Sequence, residues 1–105
     1  MPTIAEILQY LGIDYADEVV VANVTSALND AKSYLQSAVG DDIFERLPDD
    51  PKVARLLKVY TQEMYDERGT SAKVGSAKRE MVHSLEWQLR LELARLREAE
   101  EGASV

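Results

Sequence analysis

The sequence predicts an all-α fold of about four helices in a small bundle with a long C-terminal helix. Apolar residues recur at spacings of three and four along most of the chain, which is the period of an amphipathic helix. Only 5 Gly and 3 Pro interrupt this pattern, and residues suited to helix ends flank the apolar stretches. At 105 residues and 11.8 kDa, the chain is expected to form a single domain over residues 1–105.

The first two predicted helices are marked at both ends. Thr3 and Glu6 have the spacing of a capping box, and Gly12 marks the end of the first helix. Asp17 opens a second, longer helix, which ends at Gly40. The apolar stripe of this second helix consists of Val20, Val24, Ala27, Leu28, Ala31, Leu35 and Ala38.

A short connection and a third helix follow. Residues 41–49 are predicted to link the helices and to dock a turn onto the core through apolar side chains. These side chains are Ile43, Phe44 and Leu47. Asp50 has the character of an N-cap and Pro51 suits the first helical position, so a third helix is predicted to start there. It is expected to run to Arg68, with Gly69 just beyond its end.

The last helix is predicted to begin at Ser76, after an exposed loop over residues 70–76, and to reach Glu100. It would then be about 37 Å long, too long for one small core to cover, so its distal turns are expected to need a partner. Acidic residues at its C-terminal end oppose the helix dipole, and we expect residues 98–105 to fray. Its main apolar stripe is Val82, Leu85, Leu89, Leu93 and Leu96, with Trp87 and Leu91 adjoining.

Composition excludes several classes of function. The absence of cysteine removes disulfides, thiolate metal sites and cysteine nucleophiles, and one histidine cannot build a His-rich zinc site. A net charge of −7 is the wrong sign for a general nucleic-acid binder. The sequence also lacks a long apolar run or a signal-peptide pattern, which predicts a chain that neither spans a membrane nor is exported.

The charge is unevenly distributed along the chain. Residues 1–50 contain ten acidic and two basic residues, a net charge of −8, whereas residues 51–105 contain nine acidic and ten basic residues, a net charge of +1. Opposite charge on two surfaces of one chain favours contact between copies of it.

The only histidine allows a catalytic interpretation. His83 has Glu80 and Glu86 within one helical turn, which allows a histidine–carboxylate site, but no nucleophile stands at a supporting spacing. Glu86 and Arg90 instead predict an i,i+4 ion pair on the outer side of the last helix. A mixed-charge strip continues beyond them and favours binding to other protein chains. The strip consists of Arg95, Arg97, Glu98, Glu100 and Glu101.

Several stretches occur in an order that resembles a known family. They are residues 3–14 (TIAEILQYLGID) before an acidic pair, residues 27–40 (ALNDAKSYLQSAVG), residues 56–68 ending Tyr-Asp-Glu-Arg, and Gln-Leu-Arg at residues 88–90. The chain resembles the head–tail connector (adaptor) family of long-tailed phages. These small helical proteins are also grouped as DNA-packaging proteins and are named for a QLRG signature. Leu91 stands where the signature has glycine.

The resemblance implies a non-enzymatic virion protein, assembled in the host cytoplasm as a homo-oligomeric ring. Such a ring joins the phage portal protein to a neck or tail-completion protein, continues the DNA channel, and takes part in completing DNA packaging and head–tail joining. No cofactor, metal, membrane contact or sequence-specific nucleic-acid binding is expected. Together with the charged end of the last helix, the resemblance assigns protein contacts to Tyr65, Arg68, Gln88, Arg90, Arg95, Arg97 and Glu98.

An alternative function is a small helical regulatory or antitoxin-like module that binds a single partner. Such a protein would be a monomer or a two-fold dimer rather than a ring.

Overall fold

The computed structural model describes residues 1–66 and 76–103, and all regular secondary structure within those ranges is helical. The all-α prediction is therefore confirmed. Those ranges contain five helices, namely α1 (Ile4–Leu11), α2 (Glu18–Val39), α3 (Ile43–Arg46), α4 (Pro51–Asp66) and α5 (Ser76–Ala103). The predicted end of the third helix at Arg68 and Gly69, and the predicted loop over residues 70–75, lie outside the described residues.

Helices α1, α2 and α4 start where the cap residues in the sequence predict. The side chains of Thr3, Asp17 and Asp50 each accept a hydrogen bond from a backbone N–H in the first turn that follows, at 3.2, 2.9 and 2.8 Å. Gly12 ends α1 in the left-handed conformation, with φ at 76°. These local hydrogen bonds satisfy backbone donors that a helix leaves without a partner within itself.

The core lies where the helices meet. α2 and α4 pack along each other most extensively, α1 packs on both of them, and α5 packs against α2, α3 and α4. The buried residues follow the predicted stripes, with Leu57 and Leu89 fully buried as expected. The core cluster is Ile7, Val24, Leu28, Ala31, Leu35, Val39, Ile43, Val53, Leu56, Leu57, Tyr60, Leu89 and Leu93.

The segment predicted as a linker contains the single-turn helix α3, which raises the number of helices from four to five. Ile43 at its start is fully buried, because it inserts into the core beside α2 and α5. Asp42 precedes α3 at the N-cap position but makes no side-chain cap hydrogen bond. Its carboxylate has other partners, described below.

Gly40 allows α2 to end close to α5. Its φ of +154° lies in a region that side chains rarely adopt, and a Cβ built there would lie 2.7 Å from Arg97 Nη2 and 3.1 Å from Leu93 Cδ1. Glycine therefore meets both a conformational and a spatial requirement at this position.

α5 extends further than the sequence predicted. Its 28 residues correspond to about 42 Å, most of the molecule's longest extent of 53 Å. The expected fraying from residue 98 is not observed at residues 98–103, which are helical, and residues 104–105 lie outside the described ranges. Ion pairs between α3 and the last turns of α5 account for this difference.

Candidate functional site

Glu86 faces the core and not the outer side of α5, so its predicted outward position is wrong. The residue is only 5% exposed, and one carboxylate oxygen accepts a hydrogen bond from the buried Tyr60 hydroxyl on α4. Its other oxygen lies 3.7 Å from Arg90 Nη2 and 4.0 Å from His83 Nδ1. A buried carboxylate requires such partners, because burying an unpaired charge costs a large amount of free energy.

The Tyr60–Glu86 pair holds α4 against α5. Burial, followed by the hydrogen bond to the Glu86 carboxylate, raises the pKa of the Tyr60 phenol far above its usual value, so the hydroxyl stays protonated as the donor. The Tyr34 ring on α2 meets the Tyr60 ring edge to face, with centroids 4.9 Å apart. The pair thus belongs to a contact among three helices.

An open cleft of about 350 Å³ adjoins this pair. His83 lines it, with its side chain 70% exposed, and the 4.0 Å separation from Glu86 exceeds hydrogen-bonding distance. Glu80 is exposed on the preceding turn. Of the two carboxylates predicted for a histidine site, Glu86 therefore binds Tyr60, and Glu80 lies at the surface. The cleft lining also includes Tyr34, Glu63, Met64, Arg79 and Val82.

Arg90 is predicted to contact another protein, but its side chain binds other residues of the same chain. Its Nε donates a hydrogen bond of 2.7 Å to the carbonyl oxygen of Ala38 in the last turn of α2. The last carbonyls of a helix have no partner within it, and a cationic donor there is favourable. With its contact to Glu86, Arg90 links α2 to α5.

Arg97 is likewise engaged within the chain, in what we call the α3–α5 clamp. The clamp comprises Asp42, Arg46, Arg97 and Glu100. Arg97 donates from Nε and Nη2 to the two oxygens of Asp42, with the Nε bond at 3.0 Å. Arg46 donates from Nε to Asp42 at 2.6 Å and forms an ion pair through Nη2 with Glu100. This arrangement holds the distal turns of α5 against α3.

The clamp predicts acid-sensitive stability. Hydrogen bonds from Arg97 and then Arg46 outweigh partial burial and hold the pKa of Asp42 well below its usual range. Because the folded-state pKa is lowered, this stabilisation is complete above the pKa of an unfolded aspartate, about 3.9, and is lost as pH falls through the lower folded value. We therefore expect Asp42→Asn to destabilise the protein at pH 7, by a difference from wild type that shrinks between about pH 5 and pH 2.

Urea unfolding followed by far-UV circular dichroism across this pH range measures that difference. Asp41→Asn, at the exposed neighbouring residue whose side chain forms no ion pair within the described residues, is the control and should lower stability at pH 7 far less than Asp42→Asn. A difference between Asp42→Asn and wild type that stays constant down to pH 2 would contradict a lowered Asp42 pKa.

The remaining predicted contact residues divide into three groups. Gln88, Arg95 and Glu98 are exposed on α5, Tyr65 is partly buried against the core, and Arg68 lies outside the described residues. The exposed residues share a side of α5 with Trp87 and Leu91, which are 58% and 49% exposed. We call this side the α5 outer face, defined as Ser84, Trp87, Gln88, Leu91, Arg95 and Glu98.

A basic groove, not predicted from the sequence, runs between α4 and α5. One depression of about 440 Å³ is lined by Lys52, Arg55 and Lys58 of α4, together with Tyr10 and Leu85. A second, of about 310 Å³, shares Lys52 and continues along α5. Its other lining residues are Gln88, Leu91, Glu92 and Arg95, so this part of the groove borders the α5 outer face and shares Gln88, Leu91 and Arg95 with it. Three basic residues at three-residue spacing on α4 were the available sequence signal.

Comparison with protein-family models, curated proteins and solved structures finds no match to this chain. Within residues 1–66 and 76–103, no group of three or more His, Cys, Asp or Glu side chains could hold a metal ion. No helix in those ranges is long and apolar enough to cross a membrane. Function is therefore inferred from the surfaces described above.

Proposed function

We propose that this chain is a non-enzymatic connector subunit of a long-tailed phage or prophage virion. It forms a homo-oligomeric ring, located in the virion neck, that joins the portal to the neck or tail and continues the DNA channel. The observation that carries this proposal is the α5 outer face. Trp87 and Leu91 lie one turn apart with about half of each side chain in solvent, beside the Gln-Leu-Arg stretch of the family resemblance. Exposed aromatic and aliphatic side chains of this kind are typical of protein-binding surfaces.

The role as a channel subunit is also supported by charge. A chain of net charge −7 would not hold phosphates by counterion release, which suits a channel through which DNA must pass. The non-enzymatic role is supported by Glu86, whose carboxylate is bound to Tyr60 and not poised toward a reacting group. The portal and the tail-side protein are proposed as partners, with the α5 outer face as one of the contacting surfaces.

The test is the mass of the purified protein by light scattering at high concentration, combined with negative-stain imaging. We expect closed rings, because head-to-tail contacts between two different surfaces close when the rotation permits. A monomer or a two-fold dimer at every concentration would contradict the connector function. That result would favour the regulatory or antitoxin-like module.

A further inference from the structure

The basic groove between α4 and α5 concentrates positive charge on an otherwise acidic chain. Its lining carries Lys52, Arg55, Lys58 and Arg95 against a single acid, Glu92. Lys52 is paired with Asp50 and Glu92, at 3.3 and 3.5 Å. Among the described residues, no acid lies within ion-pair distance of Arg55, Lys58 or Arg95. Three cations of this groove therefore remain available to an acidic ligand.

The groove is not purely ionic. Tyr10 and Leu85 line its first part, and Leu91 lines its second, so an occupant needs apolar side chains as well as negative charge. Tyr10 and Leu91 are both large apolar side chains that the fold leaves more than 40% exposed. A nucleic acid has no apolar side chains to pack against these apolar walls. The rest of the acidic surface would also repel its phosphates.

The chain itself contains a segment with the required chemistry. Residues 14–19 (Asp-Tyr-Ala-Asp-Glu-Val) lead from the connection after α1 into the first turn of α2, and they carry three acids and no base; we call them the acidic segment. Tyr15 is 84% exposed and Val19 is 67% exposed, higher fractions than for any other large apolar side chain described. Two apolar anchors flanked by three carboxylates complement a groove with apolar walls and three available cations.

We propose that the acidic segment of a second copy of this chain docks in the basic groove. This inference rests on the proposed self-assembly and deepens it by naming the two surfaces that meet. The segment and the groove are different surfaces, so each docked pair leaves a further segment and groove open. Repetition of the contact builds a ring, whereas reciprocal exchange between two copies gives a two-fold dimer.

The test reverses the charge on each surface in turn. Asp14→Lys with Glu18→Lys changes the acidic segment, and Arg55→Glu with Lys58→Glu changes the groove. The capping residue Asp17 is left intact, so helix α2 keeps its N-cap. By light scattering at matched concentration, each double variant alone is expected to associate at least about tenfold more weakly than wild type. An equimolar mixture of the two variants is expected to regain association, because each supplies the surface that the other has reversed.

A matched control separates the contact from overall charge. Asp30→Lys with Glu45→Lys makes the same change in net charge at two exposed residues away from the acidic segment, and it should associate like wild type. Retained far-UV circular dichroism shows that each variant is folded. Equal weakening by this control, or no rescue in the mixture, would overturn the proposal.

Cross-linking makes failure of this contact distinguishable from failure of the connector function. The natural chain has no cysteine, so Val19→Cys on one copy and Lys58→Cys on another give a single possible bismaleimide bridge between the two variants. The bridged product is a covalent dimer in either case, so the mass of the native assembly by light scattering decides: bridging in an assembly with the mass of a dimer supports the contact and overturns the ring. Rings without bridging, unaffected by charge reversal, support the connector function and overturn this contact. Binding of a short DNA duplex that the groove variant abolishes, while association persists, would also overturn it.

Discussion

Replacing Leu57 or Leu89 with alanine is expected to lower the free energy of unfolding by about 2–5 kcal/mol each. Both side chains are fully buried, Leu57 on α4 and Leu89 on α5. Removal of three carbon atoms from such a site loses transfer free energy and leaves a cavity that neighbouring helices fill only in part. A domain of this size has roughly 5–15 kcal/mol of stability, so either substitution removes a large share of it. Urea unfolding followed by far-UV circular dichroism measures the loss.

The same helix provides a matched control for this result. Leu91 lies two residues beyond Leu89 but is 49% exposed, so Leu91→Ala should change stability by no more than about 0.5 kcal/mol. The chemical change, and the small gain in intrinsic helix propensity that it brings, are the same at both positions. An unchanged urea midpoint for Leu57→Ala or Leu89→Ala would mean that the corresponding helix does not present this side to the core.

The second large effect is expected from Tyr60→Phe, at about 1.5–3 kcal/mol. This substitution keeps the ring and its contact with Tyr34 but removes the hydroxyl that donates to the buried Glu86 carboxylate. Hydrogen bonds to charged groups contribute more than neutral ones, and loss of this donor leaves the carboxylate, among the described residues, with the longer contacts to Arg90 and His83.

Tyr34→Phe removes the same atom from the other ring of this pair. Tyr34 is 51% exposed, so its hydroxyl can bind solvent and the expected change is within about 0.5 kcal/mol. A double-mutant cycle with Glu86→Gln then isolates the energy of the Tyr60–Glu86 contact. Equal stability of Tyr60→Phe and Tyr34→Phe would mean that water replaces the Tyr60 hydroxyl at no cost.

Helix ends and core stripes could be predicted because their signals are local. Thr3, Asp17 and Asp50 bond to backbone groups within three residues, so their spacing in the sequence carries the information. Leu57 and Leu89 belong to stripes of helical period, and the structure buries both. The single turn α3 has too few residues for a periodic pattern, and its formation depends on the insertion of Ile43 into the core.

The partners of charged side chains on α5 could not be predicted, because they lie far away in sequence. Arg90 binds a carbonyl 52 residues earlier, and Arg97 binds a carboxylate 55 residues earlier. The sequence predicts that both contact other proteins, since an arginine on a long helix has the same local pattern whether it faces inward or outward. Glu86 did carry a usable signal, because Val82, Glu86, Leu89 and Leu93 are spaced four, three and four apart.

The exposed position of the only tryptophan determines what intrinsic fluorescence can report. Trp87 is 58% exposed in the folded chain, so its indole is already largely hydrated and its emission should shift little on unfolding. Backbone circular dichroism is therefore the appropriate signal for the stability measurements above. Covering the α5 outer face with another protein would remove water from the same indole and move its emission to shorter wavelength. The chain thus contains its own label-free optical probe of whichever partner binds that face.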